Sequence, residues 1–246
     1  MSMLAEAYIN QIMEMMQTAK NTQLEAVRQG AKLVADAVER DGVLHVFGCG
    51  HSQMYAEEVF YRAGGLVPVN AILEPALSLR PEAPKSTWFE RIEGYARIVL
   101  EHERISPGDV MLIASTSGRN AVPLEMAITA KERGMHVIAL TSLQFTNDVT
   151  SRHPSGKKLI DLADVVLDNC GVSGDAIMER EGLPAKFGPT SSVLGFTLLQ
   201  SLIVQTVEEL CDRGVQPPIW VSSNLDKGDA INAEYIRRYK DRIKCL

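Results

Sequence analysis

The densest concentration of groups able to hold a charged ligand lies at residues 115–120, where Ser115, Thr116 and Ser117 set three hydroxyls side by side, Gly118 lets the backbone turn, and Asn120 precedes a helix-forming run. Hydroxyl donors at the start of a helix, whose first N–H groups carry partial positive charge, make a cradle for an anion, most naturally a phosphate. The same residues also suit a Ser/Thr turn that merely caps the next helix, and the loop alone leaves both readings open. A second loop, Gly48-Cys49-Gly50-His51-Ser52, has glycines that let the backbone approach a ligand and a hydroxyl where a helix should begin. A dinucleotide fingerprint would need a third glycine where Gln53 stands, so NAD is not expected and a sugar phosphate fits better. Beyond this loop, Glu58 and Arg62 are four residues apart. They read either as a helix-surface ion pair or as a carboxylate aimed into the mouth of the site with an arginine beside it. His45, His51, His102, His136 and His153 show no ligand spacing, and no metal is expected.

These loops need strands behind them and helices after them. Val110–Ala114 is an apolar run suited to a buried strand, and Ala121–Arg133 reads as a helix ended by Gly134. Val43–Phe47 is the corresponding strand before the glycine loop, with a helix expected from Gln53 to Ala63. Further strands are read at 66–73, with Glu74-Pro75 just past its end, at His136–Leu140 and at Val165–Leu167. Strands alternating with helices and short connections imply a parallel doubly wound sheet, whose ligand loops gather on one edge.

Around this core, residues 4–40 read as two helices with separate apolar stripes, the second capped by Asn21 or Thr22. Residues 75–106 form a proline-containing insertion, exposed at Lys85–Trp88 and then helical, which suits a lid or a packing elbow. The segment 171–188 has no regular pattern. Pro189–Ser192 would cap a long apolar helix running to Cys211, Ile219–Val221 suits a short extra strand, and a last helix is read over Ala230–Ile243. The whole is read as a single domain, 1–246, with an N-terminal helical hairpin over 1–40, an αβα core over 41–213 and a C-terminal extension over 214–246.

A chain of 246 residues can bury a core without staples. Its net charge of -6 and pI near 5.5, with no clustered Lys and Arg, speak against nucleic acid as a partner. Cys49, Cys170, Cys211 and Cys245 are scattered, the first residues lack the apolar segment of a signal peptide, and no uncharged apolar run reaches the roughly 18 residues of a membrane span. A cytoplasmic protein that does not enter the membrane is the expectation. More apolar helix surface is present than one sheet face covers, which points to a homodimer or homotetramer.

With both loops considered, the chain resembles sugar isomerase (SIS) domain proteins, in particular uncharacterised ones labelled phosphoheptose isomerase. The resemblance is carried by HVFGCGHS within 44–52, by VMLIASTSGRNAVPLEMAITAKERGMHVIALTS at 110–142, by LADVVLD at 162–168 and by GPTSSVLGFTLLQSL at 188–202. It implies a flavodoxin-like αβα sandwich with a mainly parallel five-stranded sheet. Carried over position by position, it implies that Ser115, Ser117 and the backbone of Gly118–Asn120 hold a phosphate with Thr116 assisting, and that Gly50 and Ser52 meet the sugar. AEEVFYR, residues 56–62, resembles the A-E-E-x-x-x-R helix of phosphoheptose isomerases, which implies Glu58 as acid/base and Arg62 as its companion. Those isomerases carry a catalytic histidine on the long C-terminal helix, whereas residues 190–211 contain none; His51 or Glu74 would have to replace it. Three readings follow: an aldose–ketose sugar-phosphate isomerase without cofactor, a phosphosugar-binding sensor or scaffold without turnover, and an etherase-like lyase acting on an amino-sugar phosphate.

Overall fold

A computed structural model describes residues 3–246. The apolar runs form the strands β1 (Leu44–Gly48), β2 (Val69–Ile72), β3 (Val110–Ala114), β4 (His136–Thr141) and β5 (Val165–Asp168), ordered β2-β1-β3-β4-β5 and all parallel. Every residue of β1, β2 and β3 is buried, because helices cover both faces of a parallel sheet.

The two faces hold separate cores. On one, Leu44, Val46, Leu112, Ile138 and Leu167 pack against α1 (Leu4–Glu39), α2 (Met54–Val59) and, late in the chain, residues Leu198, Leu199 and Leu202. The helices of the other face are α3 (Ala83–Phe89) within the insertion, α4 (Tyr95–Glu101) and α5 (Ala121–Glu132), where Leu100, Val122 and Met126 meet Phe47, Met111, Ile113 and Val137 of the sheet. After β4 come the short α6 (Leu143–Asp148), then α7 (Ser191–Asp212) and α8 (Gly228–Tyr239). The three-layer parallel architecture is that expected from the alternation of strands and helices.

The N-terminal region departs from expectation. It is one continuous helix of 36 residues, not a hairpin, roughly 54 Å long at 1.5 Å per residue. The polar residues expected to cap a second helix bond along the exposed surface of the continuous one instead. Thr22 Oγ1 donates to the Thr18 carbonyl at 2.9 Å, and Asn21 Oδ1 accepts from Gln17 Nε2 at 2.9 Å. With no glycine or proline near residue 21 and Ala19 buried at the junction, the two apolar stripes run on as one.

The helix after the glycine loop is shorter than expected. A 3₁₀ turn, Gly50–Gln53, leads into α2, which stops at Val59. Phe60 is extended, Tyr61 takes φ +47°, and the Tyr61 ring lies edge-on to Trp220 with centroids 4.8 Å apart. Backbone bonds from Gly64 N to the Trp220 carbonyl and from Trp220 N to the Gly65 carbonyl replace the missing turn. The residues read as a sixth strand contribute a single antiparallel bridge, Leu66 to Ile219.

In the insertion, Gly94 at φ +79° splits the expected helix, and its N–H is held by both carboxylate oxygens of Glu125 at 2.9 and 2.7 Å. Lys85–Trp88 lie within α3, where Ser86 is buried and Trp88 is exposed. The start of α7 is capped from outside. Thr190 makes no side-chain cap; Asp175 Oδ1 accepts from the N–H groups of Thr190 and Ser191, and both hydroxyls bond the same carboxylate. By length and composition α7 could cross a membrane, but its inward residues Leu198, Leu199, Leu202 and Ile203 are spent on the core.

At the opposite edge, Asp109 ties the C-terminus down. Its carboxylate accepts from Val43 N, from His45 Nε2 at 3.2 Å and from Arg242 with both oxygens at 2.9 Å. Trp220, Tyr239 and Ile243 complete this corner against Val43 and Val67.

Candidate functional site

Gly48 pairs with Ala114 in the parallel register, so the glycine and hydroxyl loops leave neighbouring strands on the same sheet edge. Between β1 and β3 the strand order also reverses direction, which is where open α/β sheets leave a crevice for ligands. The two loops expected to act together are thus neighbours.

The glycine loop is fixed by close packing. A Cβ on Gly48 would lie 2.2 Å from the Ser52 carbonyl oxygen, so the turn requires glycine here. Gly50 takes φ +57°, and its missing side chain faces Ser86 Oγ and Leu79 at 3.9 Å. Gln53 is buried and donates to the Glu74 carbonyl at 3.2 Å, tying this loop to the end of β2. His51 is exposed at the rim and Ser52 half-buried.

In the hydroxyl loop the carbonyls turn toward the scaffold. Thr116 O accepts from Ser142 N and Thr141 Oγ1, Ser117 O from Thr146 Oγ1, Gly118 O from Leu159 N at 2.9 Å, and Arg119 O from Arg152 N. Gly118 has φ +58°, and a Cβ there would sit 3.3 Å from Leu159 Cβ. Ser115 is buried, and its hydroxyl accepts from Gly118 N at 3.3 Å. Among the described residues, the N–H groups of Ser117, Arg119 and Asn120 donate to no protein acceptor. Asn120 occupies the N-cap position of α5 but makes no side-chain cap. Carbonyls directed away and N–H groups left over are what an anion-binding loop requires.

Two residues not singled out from the sequence complete this edge. Glu90, just past α3, accepts Val122 N on its backbone carbonyl at 3.0 Å, and its carboxylate lies near the Asn120 side chain. Burial pushes the Glu90 carboxyl above the usual range despite the nearby Asn120, Arg91 and Arg152. The same carboxylate adds to the effect of burial in raising the Cys49 thiol of the glycine loop. Arg152 is the second, donating from Nη1 to Asn120 Oδ1 at 3.0 Å. Neither lies within a loop motif, and only their tertiary position reveals them.

Glu58 and Arg62 are placed differently. Arg62 falls beyond the end of α2, yet its guanidinium still meets Glu58 Oε2 at 2.9 Å, while Glu58 Oε1 accepts from Gln200 Nε2 of α7 at 3.1 Å. The pair is therefore bonded to the middle of α7 rather than to either loop. Glu74 is occupied as well, accepting from Ala76 N at 3.1 Å and from the Tyr95 hydroxyl at 2.8 Å. Burial and this carboxylate raise the Tyr95 phenol to about 12. Beside Gly50 lies a cleft of about 490 Å³, lined by Gln53, Glu57, Leu73, Ser78 and Arg80, with room for a small polyol. Among the described residues no three His, Cys, Asp or Glu side chains are grouped to hold a metal.

The model of the SIS domain family matches residues 7–142. A UPF0309 protein of Caldanaerobacter subterraneus is 42% identical over 244 residues, covering 98% of this chain and 99% of its own. The phosphoheptose isomerase structure from Francisella tularensis is similar in fold, with a TM-score of 0.56 at 20% identity over 85% of this chain and 100% of that one. Its counterpart from Neisseria gonorrhoeae gives 0.54 at 20% identity, covering 83% and 97%.

Proposed function

Because the chain belongs to the SIS domain family and to its UPF0309 relatives, we propose that it binds a sugar phosphate across the β1 and β3 loops and interconverts its aldose and ketose forms. The observation that carries this reading is the hydroxyl loop, where the carbonyls of Thr116 to Arg119 are engaged by the scaffold while Ser117, Arg119 and Asn120 keep N–H groups for a ligand. The phosphate sits on these N–H groups and on the Thr116 and Ser117 hydroxyls. The sugar extends past Gly50 and Ser52 toward the cleft beside Glu57 and Arg80.

Isomerisation moves a proton between C1 and C2 through an enediol, which asks for a carboxyl whose pKa is raised toward neutrality. Glu90 is shifted in that direction and is bonded through its backbone to Val122, just after the hydroxyl loop, and to Ser86, which faces Gly50. Glu58, which the family resemblance nominates, with His51 as its partner at the rim, is the competing assignment. The deciding experiment is exchange of deuterium into C2 of hexose, heptose and amino-sugar phosphates, followed by NMR for the native chain and for Glu90→Gln and Glu58→Gln. Loss of exchange in Glu90→Gln alone supports this arrangement. Loss in Glu58→Gln alone restores the family assignment, and stabilisation by a phosphosugar without exchange in the native chain removes catalysis.

One observation favours that last outcome, a sensor without turnover. The group α7 presents to Glu58 is the amide of Gln200, which cannot carry a proton. The reading also includes a homodimer or homotetramer in the cytoplasm. It is supported by the exposed apolar side chains Met13, Leu24 and Val204 along α1 and α7, and by four cysteines that are all free.

A further inference from the structure

The hydroxyl loop is flanked by more positive charge than one phosphate uses. Arg119 lies in the loop, Arg152 reaches it by donating its backbone N–H to the Arg119 carbonyl at 2.9 Å and its guanidinium to Asn120, and Arg91 follows Glu90 at the end of α3. Among the described residues none of these three arginines forms an ion pair. The Nε of Arg119 is buried with no hydrogen-bond partner, a position that costs free energy unless something absent from the free protein satisfies it. Burial and the neighbouring Arg119 and Arg91 push the Arg152 guanidinium downward, and Glu90 is the one acid opposing them. Glu125, the next carboxylate along α5, is occupied by Gly94 N–H and by His153 at 3.6 Å.

A phosphoryl group on the loop is already matched, its three terminal oxygens facing two hydroxyls and three N–H groups. The arginines are surplus to it. Resting on the phosphosugar reading above, we propose that Arg119, Arg152 and Arg91 form a second anion subsite, so that the ligand is a phosphosugar carrying another anionic group, either a second phosphate or a carboxylate. Guanidinium groups suit this task because they stay charged and meet either anion with two parallel N–H donors.

The test is calorimetric titration of the full chain at fixed ionic strength with a hexose 6-phosphate, a hexose 1,6-bisphosphate and a 6-phosphohexonate. The doubly substituted ligands are expected to bind about tenfold or more tightly than the monophosphate, the stronger of the two identifying the second group. Arg152→Gln removes that advantage, weakening the doubly substituted ligands by more than it weakens the monophosphate. Arg91→Gln, at an exposed position with no bonding role in the fold, reduces the advantage and serves where Arg152→Gln fails to fold. Equal affinity for all three ligands overturns the second subsite and leaves the phosphosugar reading standing. Equal weakening of all three by Arg152→Gln also overturns it, because the arginines then serve the first phosphate. No binding of any of them overturns both.

Discussion

The backbone carbonyl of Glu90 accepts the N–H of Val122 at 3.0 Å, so the end of α3 closes the start of α5. Because α3 also rests on the glycine loop through Ser86, the insertion at 75–106 touches both the glycine and the hydroxyl loop at once. It is a packing elbow that delivers a carboxyl to the crevice.

That delivery has a thermodynamic signature. A carboxyl whose pKa is raised on folding binds its proton more tightly in the folded chain, so its stabilising contribution is present at low pH and is lost as pH rises through the folded value. Glu90→Gln is therefore expected to melt at or above the native chain at pH 8, with the difference narrowing toward the unfolded value of about 4.3. Thermal unfolding followed by circular dichroism across this range checks it; a variant less stable at pH 8 would show that the ionised form is favoured by folding.

Asp109 behaves in the opposite sense. Burial alone would raise its carboxyl, but the hydrogen bond and charge of His45 and the N–H groups of Val43 and Ser106 bring it below the usual range. Its contribution is complete above the unfolded value of about 3.9 and is lost as pH falls through the lower folded one. Asp109→Ala leaves His45 and Arg242 without their acceptor and is expected to cost about 3 kcal/mol in urea unfolding at pH 7. A loss below about 0.5 kcal/mol would mean that the C-terminal residues hold without this anchor.

Gly48→Ala places a Cβ where the Ser52 carbonyl stands, at 2.2 Å, and the obstacle is backbone rather than a movable side chain. A cost of about 2 kcal/mol is expected, with loss of any thermal stabilisation by phosphosugars. Unchanged ligand stabilisation would show that the glycine loop does not hold the sugar.

The proposed self-association is assigned to the exposed apolar face of α1 and α7. Val204 is 69% exposed and Leu24 58%. Sedimentation is expected to show a species heavier than the 27.0 kDa chain, and Val204→Glu with Leu24→Glu to return it to that mass without lowering its melting temperature. A native chain that sediments only as a monomer removes this expectation.

Much of this arrangement was legible in the order of residues. The buried strands announce themselves as apolar runs, and the hydroxyl and glycine loops follow them directly, so the edge where they meet came from topology rules alone. Local signals failed where distant parts of the chain decide the outcome. Tyr61 leaves its helix to pack on Trp220, some 160 positions later, and Thr22 bonds along α1 instead of opening a new helix. Glu90, Arg91 and Arg152 carry no motif. They come together because the Val122 N–H donates to the Glu90 carbonyl at the end of the insertion and the Asn120 side chain accepts from Arg152 in the segment after α6, contacts that no spacing encodes.

Gly195 lies where the phenol of Tyr55 must pass: a β-carbon there would be 2.1 Å from the hydroxyl that donates to the Ser191 carbonyl at 2.6 Å. This interlock keys α2 to α7, so that neither can slide or rotate by one residue without expelling the ring. On the proposed reading, a ligand in the crevice would have α2 keyed in place on one side, while on the opposite bank α3 is joined to α5, among the described residues, by the single backbone bond from Val122 to Glu90.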